Sequence, residues 1–159
     1  MGRLIRWEDL REGALGGATG TAAFTGLMYG AQRVGLLGEM PPRKITRKIM
    51  ERTARTTRYV DAATTIAHLS FGLASGVLFA AITHRVRTKV PRVVLGMGFG
   101  AAVWAASYAG WAPALGLMPA PSKDRPDRPI VGFLGHLLFG ALLSAFVTPL
   151  GRGGRGARR

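Results

Sequence analysis

The chain has no cysteine, which excludes disulfides, thiolate metal sites and cysteine nucleophiles. Acid is scarce too, with eight Asp and Glu against 22 Lys and Arg, and there are only three histidines. No Walker motif, HExxH or G-x-S-x-G occurs, and no nucleophile–base–acid set can be assembled, so the chain reads as not an enzyme. The GMGFG run is no nucleotide fingerprint, because it lies in an apolar helix with no strand before it. A cleaved signal peptide is not expected, since Glu8, Asp9 and Glu12 precede the first apolar segment and no A-x-A-like site closes it. Met1-Gly2 lacks Ser or Thr at position 6, so N-myristoylation is not indicated.

Charge is missing from four long stretches: 13–32, 62–83, 93–122 and 129–151. About 20 apolar residues in a helix cross a bilayer core, so each stretch is long enough to span. A soluble bundle would carry polar residues at every third or fourth position, and the last three stretches do not. The fold class expected is all-α and integral to a membrane: four transmembrane helices arranged as two tandem hairpins. The spans fall at about 13–34, 62–83, 93–114 and 129–150, after a polar tail over 1–12 and before a basic tail over 151–159. The first is the weakest, rich in Gly, Ala and Thr, and its alternative is an interfacial segment beside three spans.

Net charge is +14. No basic segment interleaves aromatic residues as a base-stacking platform would, so no nucleic-acid partner is expected. Lys and Arg instead flank the helix ends, where they meet anionic head groups. They divide evenly, eleven to each side of a four-span topology. The acid-free loop THRVRTKVPR and tail RGGRGARR favour cytoplasmic termini in a bacterial inner membrane. The first loop reads as a basic amphipathic helix over 41–60, with Ile45, Ile49, Thr53, Thr56 and Val60 on one arc. Lys44, Arg47, Lys48, Arg52 and Arg55 are its candidate lipid-binding residues. Its alternative is a connector helix packed on a partner.

HLSFG at 68–72 and HLLFG at 136–140 repeat within apolar runs, and LLGEMPP at 36–42 echoes ALGLMPA at 114–120, matching Gly38 to Gly116. His68 and His136 should then lie at one depth on helices running the same way. Intramembrane ionisable residues mark function by default. Three readings stand for this pair. One is a structural polar centre with Ser70, Ser107 or Tyr108 as partners. Another is a proton or solute pathway through His68, Ser70, Tyr108, Asp124 and His136. The third makes His68 and His136 cofactor-binding, as ligands of a b-type haem or a metal ion, although a metal would want more ligands than two nitrogens. His84 reads as interfacial, and Trp104, Tyr108 and Trp111 as packing or anchor. Asp127 reads as an N-cap. The G-x-x-x-G pairs Gly16/Gly20 and Gly26/Gly30, with Gly96, Gly98 and Gly100, suit close helix packing, within the chain or in a homo-oligomer or larger complex.

GFGAAVWAASYAGWAPALGLMPAPSKDRP followed by FLGHLLFGALLSAF resembles the YagU-like bacterial inner-membrane proteins, a family of unknown function. Gly116, Leu117, Pro119, Pro121, Asp124 and Pro126 fit that family's loop pattern, and Gly135, His136 and Leu137 fit its following helix. AHLSFGLASGVLFA resembles its other His-containing span. The likeness covers roughly 65–147 and implies an inner-membrane protein with no established activity.

Overall fold

The computed structural model describes residues 5–53, 55–86 and 88–147. They form α1 (Trp7–Arg33), α2 (Pro41–Arg52), α3 (Val60–Arg85), α4 (Arg92–Trp104), α5 (Ala112–Ala114) and α6 (Asp127–Phe146), with no strand among the described residues. A π-helical stretch, Ala105–Trp111, joins α4 to α5 without a break. Pro113 lies just beyond it, with no N–H to donate and a ring that crowds the preceding turn, and a wider turn upstream relieves both. The basic tail and residues 148–150 of the expected fourth span lie outside the described residues.

Three boundaries differ from expectation. The polar head is helical from Trp7, because Glu8 and Asp9 suit the positive end of a helix and the Asp9 carboxylate accepts from the Arg6 N–H at 2.9 Å. Asp127 is the first residue of α6 rather than its N-cap. The amphipathic helix stops at Arg52, so Thr53, Thr56 and Val60 leave its apolar arc, and Val60 opens α3 instead.

Both α1 and α5 end in the same left-handed cap. Gly35 has φ 79° and Gly116 φ 65°, a region where only glycine avoids a Cβ penalty. The Gly35 N–H donates to Gln32 and that of Leu36 to Ala31, while Gly116 donates to Pro113 and Leu117 to Ala112. The structural counterpart of Gly116 is therefore Gly35, three residues before the Gly38 that sequence similarity selects.

α1 lies between α3 and α6, antiparallel to both, and α4 lies antiparallel to α6; α3 and α4 barely touch. These pairs meet backbone to backbone. A Cβ on Gly13 or Gly17 would collide with the carbonyls of Gly76 and Gly72 on α3. Gly16 and Gly20 receive Leu143 and Phe139 of α6, while Gly96 and Gly100 rest on the carbonyls of Gly140 and His136. Gly26, Gly30 and Gly98 face open space. Larger side chains fill what remains, Phe24 and Met28 toward one end, Phe79, Phe139 and Leu143 toward the other.

Three helices are long and apolar enough to cross a membrane: Thr57–Arg85, Arg92–Ala114 and Asp127–Phe146. α1 is long enough, 27 residues or roughly 40 Å, but its glycines and threonines lower its hydropathy.

Gly17→Ala should lower the melting temperature in detergent, at a cost of about 1–3 kcal/mol from overpacking. Gly26→Ala has room and should be neutral or stabilising, by up to about 1 kcal/mol of helix propensity. Equal melting temperatures for the two variants would remove the backbone-contact account.

Candidate functional site: a paired-histidine cavity under the amphipathic helix

His68 lies eight residues into α3 and His136 nine residues into α6, roughly 12–14 Å from their starts at the same end of the bundle. The two meet at Phe24 of α1. Its ring takes both imidazoles edge-on, with centroids 5.8 Å from His68 and 4.7 Å from His136. The phenyl ring fits there because Gly135 has no Cβ, which would collide with it.

Each imidazole has one nitrogen committed. His68 Nδ1 is 3.3 Å from Thr25 Oγ1, and that hydroxyl already donates to the Thr21 carbonyl at 2.8 Å. The hydroxyl can then only accept, so His68 Nδ1 carries the hydrogen. His136 Nδ1 is 2.7 Å from the Gly132 carbonyl, which has no hydrogen to give, so this Nδ1 also donates. In the neutral rings both Nε2 atoms are lone-pair acceptors, and neither has a bond from a described residue.

Both imidazoles line a cavity of about 260 Å³. Its roof is the apolar face of α2, chiefly Pro42, Ile45 and Ile49, and its walls include Phe71, Tyr108 and Trp111. A void of about 20 Å³ lies against the same two rings, beside Thr21 and Phe139. On the other side of His68 a hollow of about 360 Å³ runs between α1 and α3.

The remaining candidate residues divide. Ser70 is exposed, two residues and roughly 200° around α3 from His68, so it does not join the pair. Ser107 borders the cavity but turns its hydroxyl to Val103 at 2.7 Å. The Tyr108 ring lines the cavity while its hydroxyl donates to Asp124, which also accepts from Arg128 and from the Arg125 N–H. The Asp124 side chain is 3% exposed, and its charge is balanced by Arg128. His84 is held near Asp9, at 3.6 Å. Trp104 stacks on Tyr108, centroids 5.9 Å apart, rather than standing at the surface.

The cations of α2 mostly serve the protein itself. Arg47 clasps Glu39 with two bonds of 2.9 Å and reaches Glu51 at 2.7 Å. Arg43 bonds Asp61 of α3 at 2.6 Å and Glu39 at 3.2 Å. Arg52 donates to the Leu115 carbonyl at 2.7 Å, and Lys48 to that of Gly116 at 3.2 Å, where a helix end concentrates negative partial charge. Lys44 is half-buried on α2 and Arg55 is exposed just past its end. The hydrogen bonds from Arg47 hold the Glu39 carboxyl below its ordinary value of 4.5, against a smaller opposing effect of burial. Asp61 and Glu39 push Arg43 up, and Glu39 and Glu51 push Arg47 up.

Sequence reasoning missed Phe24, Thr25 and Gly132. The spacing of Thr21 and Thr25 by one turn was a signal, but only the helix register assigns Thr25 to His68. Among the described residues no group of three His, Asp or Glu side chains could hold a metal ion.

A protein-family profile matches residues 7–153, and the chain belongs to that family, a family of unknown function (DUF6789). No curated protein and no solved structure matches the chain significantly.

Asp124→Ala should cost about 3–5 kcal/mol, because it leaves the Arg128 charge buried and unpaired. Tyr108→Phe should cost about 1–3 kcal/mol for the bond lost at a buried carboxylate. Thermal melts of both variants check this order. The Glu39 carboxyl binds its proton less readily folded than unfolded, so its contribution is complete above pH 4.5 and fades as pH falls through the lower folded value. A melting-temperature profile should drop over that acid range, and Glu39→Gln should flatten the drop.

Proposed function

We propose that this member of a family without an assigned activity is an integral membrane protein in which α1, α3, α4–α5 and α6 cross together as two tandem hairpins. It acts as a structural or accessory membrane component organised around the His68/His136 centre. One observation carries the reading: two histidines on parallel helices, at matching depth, meet on a single phenyl ring.

The fourth span rests on how α1 uses its small residues. The glycines that lower its hydropathy at 13, 16, 17 and 20 are buried against α3 and α6 rather than turned to lipid. Its exposed positions between 13 and 32 include Leu15, Ala22, Leu27 and Tyr29, and none is charged. Close contact through small residues replaces the hydrophobic drive that lipid removes. The membrane is the bacterial inner membrane, both termini are cytoplasmic, and the chain is kin to the YagU-like proteins. With that orientation α2 and the Asp124 loop share the opposite face, where Lys44 and Arg55 meet anionic head groups.

A proton pathway is the second reading, favoured by the cavity that reaches both imidazoles. A haem between the two rings is disfavoured, because the cavity that both imidazoles line, about 260 Å³, is small for a porphyrin.

Proteoliposomes separate the first two readings. Wild type and the His68→Ala/His136→Ala variant should dissipate an imposed pH gradient at the same rate as empty vesicles. A faster rate for wild type that the double variant abolishes would replace the accessory reading with the pathway.

A further inference from the structure

We propose that the cavity beneath α2 binds a neutral, lipid-soluble ring that carries a hydroxyl, of the phenol and hydroquinone class. This goes beyond the accessory role, and binding is measured independently of proton flux.

The polar valences at the cavity point to this chemistry. Thr46, Thr64 and Ser107 line it, but each hydroxyl donates to its own helix, to Pro42, Val60 and Val103 at 2.9, 2.6 and 2.7 Å. The Tyr108 hydroxyl is turned to Asp124. The hydroxyl oxygens and, in the neutral rings, the two Nε2 atoms can then only accept, and among the described lining residues the indole N–H of Trp111, at the exposed edge, is the one side-chain donor left uncommitted. A complementary molecule must therefore bring a donor. Among the described residues no Lys, Arg, Asp or Glu lines the cavity. A carboxylate or phosphate would meet lone pairs with no cation, and a hydrated cation would meet mostly apolar walls. The molecule that fits is neutral.

The walls describe the rest of it. Phe24, Phe71, Tyr108 and Trp111 offer aromatic surfaces to a flat ring. A volume of about 260 Å³ is just below the usual range for drug-sized ligand sites, suited to a single substituted ring rather than a larger cofactor. Access is lateral. The cavity lies between α3 and the π-helical stretch, α3 and α4 barely touch, and Ala67 and Trp111 at its edge are exposed. A molecule dissolved in the bilayer reaches the imidazoles there without passing α2.

The test compares 4-ethylphenol with 4-ethylanisole, the same ring with its donor capped by a methyl group. Both are titrated calorimetrically into the full chain in phosphatidylcholine nanodiscs, with protein-free discs subtracted. Saturable binding of 4-ethylphenol is expected, and 4-ethylanisole should bind about ten-fold more weakly or worse, because it leaves a buried acceptor unpaired. In His68→Leu/His136→Leu the phenol should fall to the level of the ether. Ile49→Trp keeps both imidazoles but fills the roof, and should abolish binding of both probes. Equal affinity of phenol and ether for wild type, or no saturable binding of either, overturns the proposal even if the double variant fails to fold. Unchanged phenol affinity in a folded double variant overturns it as well.

Discussion

The close approach of α1 to α3 and of α4 to α6 is the contact on which the rest of the structure depends. Gly17 against the Gly72 carbonyl and Gly100 against that of His136 bring backbones within a distance that no Cβ allows. That approach puts Thr25 within reach of His68 and seats Phe24 between two helices. It also explains why α1 is the least hydropathic of the long helices. Its small residues serve contact with other helices. Mean hydropathy averages those contact positions with outward ones such as Leu15, Ala22, Leu27 and Tyr29.

Burial then dictates where each polar group turns. In an apolar setting an unpaired donor or acceptor is costly, so side chains with a choice satisfy themselves locally. Thr21, Thr25 and Ser107 bond back to carbonyls of their own helix. Asp124 gathers Tyr108, Arg128 and a backbone N–H, which closes the end of α6 against the π-helical stretch. On α2 the same economy runs through charge. Glu39, Glu51 and Asp61 take up two arginines, and two other cations cap the end of α5. What holds α2 over the cavity is therefore a set of polar contacts at the bundle's end, with its apolar face covering the imidazoles.

The helices were legible in the sequence because a charge-free run of twenty residues has few alternatives, and the matching of His68 to His136 followed from two short identical patterns. Their neighbours were not legible. Phe24, Thr25 and Gly132 become partners only through the rotational setting of α1 and α6, which no local pattern encodes. The arc from Ile45 to Val60 suggested one helix because a helical wheel assumes continuity, whereas the first helix ends at Arg52 and a second begins at Thr57 with a 3-10 turn that leads into Val60. The protein partners of Arg47, Lys48 and Arg52 were not legible either. Their acidic and carbonyl partners lie 8, 68 and 63 residues away, respectively, for Glu39, Gly116 and Leu115.

The two halves of the chain share a scaffold but not its wiring. With His68 set on His136, Gly72 falls on Gly140, and their glycine partners Gly17 and Gly96 fall together. The stretch from there to the left-handed cap is two residues longer in the second half, and the π-helical turn lies within it. In this register Thr25 corresponds to Trp104. A threonine hydroxyl can accept the His68 Nδ1 hydrogen, but an indole N–H can only donate. His136 therefore turns its Nδ1 to the Gly132 carbonyl of its own helix, and Trp104 Nε1 is left buried without a partner. The indole lies against Gly132, where a Cβ would stand 3.5 Å from Nε1. One substitution at an equivalent position thus makes two similar histidines different: the Nδ1 of His68 is tied to α1, and that of His136 to its own helix.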